Sequence, residues 1–257
     1  MGASTMAEIT ERKQVRADKK NPRVAGKVCE FMPYSGREAF KRLRTNVLLA
    51  LGEDKAKGCR VLGVTSAQPS EGKSTVTINL AFSLAELGKS VLLLDGDMRR
   101  PTVHTTMGCQ LSPGLSEVLS GSENLNKSLI RYKSSVGETS FDLIPGGQIP
   151  ENPSELLNSE RFQKLLEVVS SAYDYVIVDL PPVNAVVDAV NAAKGTDGMI
   201  VVIRENHCPR YVLSDCMEQL RYAKVNVLGF VMNGCVAGSG KRYQYGRQYY
   251  AEQYRNG

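Results

Sequence analysis

The sequence predicts an α/β fold, an open and mostly parallel β-sheet with helices on both faces. Short runs of continuous apolar residues alternate along the chain with longer segments whose apolar residues recur at helical spacing. Strands that are apolar on both faces belong in a parallel sheet that helices cover on both sides. The 257 residues are 42% hydrophobic and 23% charged, which is typical of a globular protein and argues against wholesale disorder.

Four segments have the pattern of helices. The first starts at Ser35 or Gly36 and ends at Gly52, because glycine readily takes the backbone conformation of a helix end. Gly88 ends the second helix in the same way, and Ser154 is a plausible N-cap for the third. The predicted helices are residues 35–52, 76–87, 154–170 and 210–223.

Six apolar runs are short enough to be buried strands rather than helices. The second run ends in Asp95, the third precedes a turn that begins at Pro145, and the fourth ends in Asp179. The predicted strands are residues 61–65, 91–94, 141–144, 175–178, 199–203 and 227–232.

The two ends of the chain differ from the middle. Residues 1–30 form a predicted basic arm, which is either a solvated terminus or a segment attracted to an anionic membrane or an acidic partner. Residues 31–237 form the predicted folded domain, and residues 238–257 a predicted flexible tail. The tail lacks apolar periodicity and holds five of the eleven tyrosines: Tyr243, Tyr245, Tyr249, Tyr250 and Tyr254.

Composition excludes several classes of protein. No run of eighteen apolar residues exists, so we expect no transmembrane helix, and the N-terminal region lacks the apolar stretch of a secretory signal. The six cysteines are scattered without a CxxC pair, and with two histidines they predict reduced thiols of a cytoplasmic protein rather than a zinc site. The net charge of +5 does not by itself indicate nucleic-acid binding.

Residues 67–75 have the pattern of a phosphate-binding loop. The segment follows a predicted strand and opens a predicted helix, and it departs from G-x-x-x-x-G-K-[ST] only at Ala67. Backbone N–H groups of such a loop surround phosphates, its lysine reaches the β- and γ-phosphates, and its serine holds Mg²⁺. The alternative is an ordinary strand-to-helix turn. The candidate ATP-binding residues are Ser70, Glu71, Gly72, Lys73, Ser74 and Thr75.

Three carboxylates lie at the ends of two predicted strands. Asp95 and Asp97 follow one buried strand, and Asp179 ends another. A single aspartate in such a place is usually a cap or turn residue. The carboxyl ends of parallel strands, however, form the ligand-binding crevice of an open sheet, so we expect these acids to meet the loop. Acids, a metal and a phosphate loop are the parts that phosphoryl transfer requires.

Together these motifs resemble the bacterial tyrosine kinases of capsule and exopolysaccharide synthesis, which have a P-loop NTPase fold. The family's modified Walker A, its hydrophobic-D-x-D-x-R motif and its Walker B ending in D-x-P-P correspond to residues 67–74, 92–99 and 176–182. The family's E-x-x-R-x-x-R helix, which is used in ring-shaped oligomers, corresponds to Glu38, Lys41 and Arg44. Lys41 replaces an arginine and cannot supply its two-pronged fork.

The resemblance implies a protein-tyrosine kinase that transfers the γ-phosphate of Mg·ATP to its own tail tyrosines in trans. It implies that Lys73 holds phosphate, that Ser74, Asp97 and Asp179 serve the metal, and that Asp95 orients the tyrosine hydroxyl, although Asp95 and Asp97 could exchange roles. Arg99 either steadies phosphate charge or pairs with Asp97. Asn233 either reads the adenine edge or is a turn residue.

The implied partners are a second copy in a ring, a membrane-anchored adaptor of the polysaccharide co-polymerase type and a cognate phosphotyrosine phosphatase, with no nucleic acid. The implied location is the cytoplasm, at the inner face of the membrane.

The alternative functions are a partition- or division-type ATPase switch and a scaffold that binds ATP without transferring phosphate. Partition ATPases carry a second lysine where this chain has Gln68. We interpret His207 as an ordinary loop or surface residue. Arg204 is either part of a basic cluster or an exposed strand end.

Overall fold

The computed structural model describes residues 13–16, 28–52 and 58–235. These residues form one eight-stranded sheet with the strand order β1-β4-β5-β3-β6-β2-β7-β8. Neighbouring strands are parallel except β4 and β5, which are antiparallel. The predicted fold is therefore confirmed. The strands are β1 (Lys13–Arg16), β2 (Arg60–Ser66), β3 (Val91–Asp95), β4 (Ile130–Lys133), β5 (Ser140–Ile144), β6 (Tyr175–Asp179), β7 (Gly198–Arg204) and β8 (Val227–Asn233).

Helices cover both faces of this sheet. Those on one face are α1 (Tyr34–Leu51), α2 (Lys73–Ala85) and α3 (Val103–Met107), together with a 3-10 turn at Cys29–Phe31. Those on the other face are α4 (Leu115–Ser120), α5 (Leu125–Ser128), α6 (Pro153–Leu157), α7 (Glu160–Ser170), α8 (Asp188–Ala193) and α9 (Arg210–Tyr222). Side chains of β3 alternate between the two cores, with Leu92 and Leu94 in one and Val91 and Leu93 in the other. This alternation explains why the strand is apolar throughout.

All six predicted strands are present, each within two residues of its expected bounds. The helix predicted over residues 154–170 is wrong, because it is two helices, α6 and α7. Asn158 ends α6, and Ser159 has an extended backbone and caps α7, its hydroxyl accepting a hydrogen bond from the N–H of Phe162. Ser154 lies inside α6, whose N-cap is Asn152. The chain therefore turns where apolar spacing alone indicates continuity.

Two strands have no counterpart in the prediction. β4 pairs with β5, and its Tyr132 is fully buried, with its ring centroid 4.9 Å from that of Phe141. β1, within the predicted arm, pairs in parallel with β4. The remaining residues up to 27 lie outside the described part, so the arm boundary stays a prediction.

The fold places the phosphate loop near the middle of the sheet. β2 leads into the loop, β6 and β7 are its two neighbours, and β3 lies beside β6. The carboxyl ends of these parallel strands therefore converge on α2. Among the described residues, no helix is both long enough and apolar enough to cross a membrane.

Candidate active site

The loop between β2 and α2 is shaped by two residues with left-handed backbones. Gly72 has φ +90°, and Ser70, which is not a glycine, has φ +68°. A β-carbon at Gly72 would lie 2.0 Å from Nδ2 of Asn233, so only glycine fits there. Glu71 is fully buried, and its carboxylate accepts a hydrogen bond from the N–H of Gln68 at 3.0 Å. Glu71 therefore supports the loop from inside through its side chain.

Lys73 begins α2 with its ammonium group among carboxylates. Its Nζ lies 2.7 Å from Oδ2 of Asp97 and 3.5 Å from Oδ2 of Asp179. Burial disfavours the charged ammonium, but attraction to Asp179 and Asp97 outweighs it and raises the pKa of Lys73. The carboxylates therefore favour the charged form of Lys73 beside the loop.

Hydroxyl groups link the helix to the strand ends. Ser74 donates a hydrogen bond to Oδ2 of Asp179 at 2.5 Å, and Thr77 donates to Oδ1 at 3.0 Å. Thr102 donates to the Ser74 hydroxyl at 2.9 Å. Thr75 lies in the first turn of α2 and is partly exposed. The carboxylate of Asp179 is thereby fixed on both oxygens.

Asp95 ends β3 and is fully buried. Its Oδ2 accepts a hydrogen bond from the N–H of Val103 at 3.1 Å, while its Oδ1 has no hydrogen-bond partner among the described residues. Burial and the nearby Asp179 raise its pKa well above the ordinary value for an aspartate. Burial also raises the pKa of Asp179, although Lys73 opposes the shift.

This donor set fits Mg²⁺ delivered with a nucleotide. Asp95, Asp97 and Asp179 bring three carboxylates to one ammonium, and carboxylate and hydroxyl oxygens suit this cation. No group of three acidic, histidine or cysteine side chains in the described ranges could hold a metal alone. Mg²⁺ usually takes one or two protein oxygens and completes its shell with phosphates and water. Ser74, Asp97 and Asp179 stay the predicted donors to it.

Arg99 forms an ion pair with Asp188 rather than with Asp97, and its predicted role toward phosphate stays a prediction. Its Nε lies 2.8 Å from Oδ2 of Asp188 and its Nη2 lies 3.2 Å from Oδ1. Nη2 also donates to the Ser154 hydroxyl at 3.1 Å. Arg99 therefore joins the loop after β3 to the starts of α6 and α8.

The side chain of Asn233 is committed to the protein in this structure. Its Nδ2 donates to the carbonyl of Glu71 at 2.9 Å, and its Oδ1 accepts from the N–H of Gly234 at 2.9 Å. The second contact is that of a turn residue, and the first attaches the end of β8 to the phosphate loop. An adenine role for Asn233 stays a prediction.

The predicted oligomer-interface residues lie on α1, away from the loop. Lys41 is paired with Glu38 at 2.8 Å on the exposed side of the helix. Arg44 instead points inward and donates to the carbonyl of Ser83 at 2.6 Å. The five tail tyrosines lie outside the described residues.

Sequence reasoning missed several residues of this site. Thr77, Thr102 and Asp188 each contact a predicted site residue, and His207 contacts the loop. Thr77 lies one helical turn after Lys73, and that spacing was the available clue. Thr102 and His207 come from loops and Asp188 from the start of α8, and their approach to the site depends on the tertiary fold.

A phosphate loop that opens a helix, with acids at the ends of adjacent parallel strands, defines a P-loop nucleotide-binding protein. Comparison of this chain with known proteins identifies the family within that class. The AAA domain family matches residues 60–227.

Two similar proteins and one solved structure identify the family within that class. "Tyrosine-protein kinase YwqD" of Bacillus subtilis (strain 168) is 36% identical over 208 residues, 81% of this chain and 85% of that protein. "Tyrosine-protein kinase etk" of Escherichia coli (strain K12) is 36% identical over 211 residues, 82% of this chain but 28% of that protein. The structure of the kinase domain of Escherichia coli tyrosine kinase ETK has a TM-score of 0.72 and 36% identity, covering 79% of this chain and 77% of that one.

These findings show that the chain belongs to the bacterial tyrosine kinase family, as predicted, and confirm the predicted enzyme class of protein-tyrosine kinase. They also support nucleotide binding by this chain. The partition-type ATPase reading is less supported, because the relatives that cover most of this chain are named kinases.

Proposed function

We propose that this chain is an Mg·ATP-dependent tyrosine kinase that phosphorylates the C-terminal tail of a neighbouring copy and thereby regulates capsule or exopolysaccharide synthesis and export. One observation carries the proposal. The Lys73 ammonium, the Ser74 hydroxyl and the carboxylates of Asp97 and Asp179 meet at the phosphate loop within hydrogen-bond or ion-pair distance. That cluster is the apparatus for holding a nucleotide triphosphate for transfer.

The residues divide the work by position. N–H groups of residues 70–75 and the Lys73 ammonium bind the phosphates, and Ser74, Asp97 and Asp179 hold Mg²⁺. Bound Mg²⁺ supplies neutralising charge to the phosphates during transfer. When ATP binds, Lys73 exchanges its contacts with Asp97 and Asp179 for phosphate oxygens.

Asp95 is the proposed acceptor of the tyrosine proton. Its buried Oδ1 has no hydrogen-bond partner among the described residues, so one carboxylate oxygen is open to a proton. A phenol has a pKa of about 10, so a positioned base assists its attack. The phenolic oxygen forms a bond to the γ-phosphorus as the bond from that phosphorus to the β,γ-bridging oxygen breaks. The proton passes to Asp95, and ADP leaves.

The proposed substrates are Tyr243, Tyr245, Tyr249, Tyr250 and Tyr254. The tail also carries basic residues, including Lys241 and Arg242, which favour an approach to an acidic site. Each phosphate adds close to two negative charges, and these would oppose a further approach to Asp95, Asp97 and Asp179. Phosphorylation in trans would therefore weaken tail docking and release neighbouring copies from a ring.

A ring would use α1, where Glu38, Lys41 and Arg44 lie. Lys41 offers its charge at the surface, whereas Arg44 would have to leave the carbonyl of Ser83 to reach a partner. We also propose a cytoplasmic location, recruitment to the inner face of the membrane by a membrane-anchored adaptor of the polysaccharide co-polymerase type, and reversal by a phosphotyrosine phosphatase. The family resemblance supports these partners.

The test is to incubate the purified chain with Mg·ATP, with and without the cytoplasmic segment of a candidate adaptor, and to map phosphotyrosine by mass spectrometry. We expect phosphate on the tail, and a loss of about 100-fold or more in its rate of formation in Lys73→Met. Lys89→Met is the matched control, because Lys89 is exposed and remote from the loop. The variant with all five tail tyrosines changed to phenylalanine should lose most of the phosphate.

Two results would contradict the proposal. ATP hydrolysis without phosphotyrosine, even with the adaptor segment, would favour the ATPase switch. Phosphotyrosine that persists in Lys73→Met would show that the transfer occurs elsewhere.

A further inference from the structure

We infer that Gln68, His207 and Asn233 are positioning residues that hold the phosphate loop from its carbonyl side and thereby direct its N–H groups toward the triphosphate. The inference rests on the proposed ATP-dependent function and adds a positioning role for these three residues. None of the three needs to contact the nucleotide in this arrangement.

Gln68 and His207 form a reciprocal clasp between two loops. Gln68 Nε2 donates to the carbonyl of His207 at 2.7 Å. His207 Nε2 lies 3.2 Å from the carbonyl of Pro69, and because a carbonyl only accepts, the imidazole Nε2–H is the donor. The phosphate loop and the loop between β7 and α9 are thus joined by a hydrogen bond in each direction.

The carbonyl of Pro69 is the first of three consecutive loop carbonyls that each accept a hydrogen bond from a side chain. The carbonyl of Pro69 accepts from His207, that of Ser70 from Nη1 of Arg204 at 3.4 Å, and that of Glu71 from Nδ2 of Asn233 at 2.9 Å. The Arg204 contact is the longest, so the other two define this row of carbonyls.

Because peptide bonds are planar, the direction of these carbonyls determines where the N–H groups on the opposite side of the loop point. In a trans peptide the N–H of a residue points away from the carbonyl of the residue before it. Tying the carbonyls at 69, 70 and 71 toward β7 and β8 therefore directs the N–H groups at 70, 71 and 72 the other way. None of these three N–H groups donates to another described residue. They are the donors that a phosphate would use.

Backbone strain coincides with the clasp. Ser70 has φ +68° and Asn206, next to His207, has φ +58°. Non-glycine residues seldom adopt this conformation, and it persists where surrounding contacts enforce it. The contacts made by Gln68, His207 and Arg204, together with the hydrogen bond from the N–H of Gln68 to the Glu71 carboxylate, enforce it at Ser70. Losing them would let the loop relax away from its binding shape.

The experiment compares dissociation constants for Mg·ATP and for inorganic tripolyphosphate by calorimetry. For His207→Ala and Asn233→Ala we expect both constants to rise by about fivefold, the effect of losing one hydrogen bond. His207→Gln keeps a side-chain N–H donor and should bind like the wild type. Gln68→Ala breaks the other half of the clasp and is the second test. Glu218→Ala, exposed on α9, is the control and should bind like the wild type.

Tripolyphosphate separates positioning from other roles, because it lacks the base. An adenine-reading Asn233 would weaken ATP binding in Asn233→Ala and leave tripolyphosphate binding unchanged, which would overturn the inference for that residue. Unchanged binding of both ligands by His207→Ala and Gln68→Ala would overturn the clasp. Wild-type protein that binds ATP but forms no phosphotyrosine would overturn the kinase proposal and leave these binding comparisons valid.

Discussion

Replacing Arg99 with alanine distinguishes a structural role for this motif arginine from a role in binding phosphate. Arg99 contacts both carboxylate oxygens of Asp188, whose side chain is 1% exposed. Without Arg99, a buried carboxylate loses its cation and keeps the hydroxyl of Ser154 as a donor. We therefore expect the main effect to be on stability.

The contacts set the size of that effect. A hydrogen bond to a charged group contributes about 1.5–3 kcal/mol, and breaking a fully buried ion pair costs about 3–5 kcal/mol. Arg99 is itself 42% exposed, so solvent screens the pair and reduces the upper figure. We expect Arg99→Ala to lower the free energy of unfolding by about 2 kcal/mol, with a coupling energy between Arg99 and Asp188 of about 1–2 kcal/mol.

The assay is urea unfolding of the wild type, Arg99→Ala, Asp188→Ala and the double variant, with the ATP dissociation constant measured for each. Arg100→Ala is the matched control, because this neighbour is also exposed. The ATP constant should change little in the folded Arg99→Ala protein. An unchanged unfolding midpoint together with a large loss of ATP affinity would refute the reasoning and assign Arg99 to phosphate.

Two further predictions concern Gly114 and Glu117, at the start of α4. Gly114→Ala should lower the free energy of unfolding, measured in urea, by about 1–3 kcal/mol, because its β-carbon would lie 2.3 Å from the carbonyl oxygen of Pro145. Gly58→Ala is the control, because a β-carbon at Gly58 would lie in open space. Equal unfolding midpoints for the two variants would contradict the clash. Burial opposes ionisation of Glu117, but hydrogen bonds from Ser112 and from backbone N–H groups outweigh it and lower the pKa of Glu117 to about 2 from 4.5. The stability it contributes is therefore present above about pH 4.5 and lost as the pH falls toward 2. Glu117→Gln should lower the free energy of unfolding by about 1–2 kcal/mol at pH 7, and the gap from the wild type should narrow between pH 5 and pH 3; a constant gap would contradict this.

The central residues of the site were predictable because each belongs to a short motif of consecutive residues. Lys73 and Ser74 lie within one loop motif, and Asp95, Asp97 and Asp179 lie at the ends of apolar runs. A single rule, that parallel strands present their carboxyl ends together, was enough to bring them to one place. The structure pairs Asp95 with Asp179 in adjacent strands, as that rule requires.

The long-range contacts could not be predicted in the same way. Arg99 and Asp188 are 89 residues apart, and His207 is 138 residues from Pro69. Each pair depends on how loops of several residues are folded over the end of the sheet. The break between α6 and α7 was missed for a related reason, since Ser159 as a cap becomes evident only when its backbone is seen to be extended.

The sequence by itself determined six of the eight strands, the phosphate loop, the acids around it and the kinase family. Hydrophobic periodicity and motif spacing carry that information along the chain, and apolar burial in a parallel sheet leaves few other arrangements. Only the tertiary structure decided that Arg99 pairs with Asp188, that Asp95 keeps a buried oxygen without a hydrogen bond, and that His207 supports the phosphate loop. Such contacts depend on how closely loops and helix ends approach one another in the folded protein. The periodicity of residues along the sequence does not predict these distances.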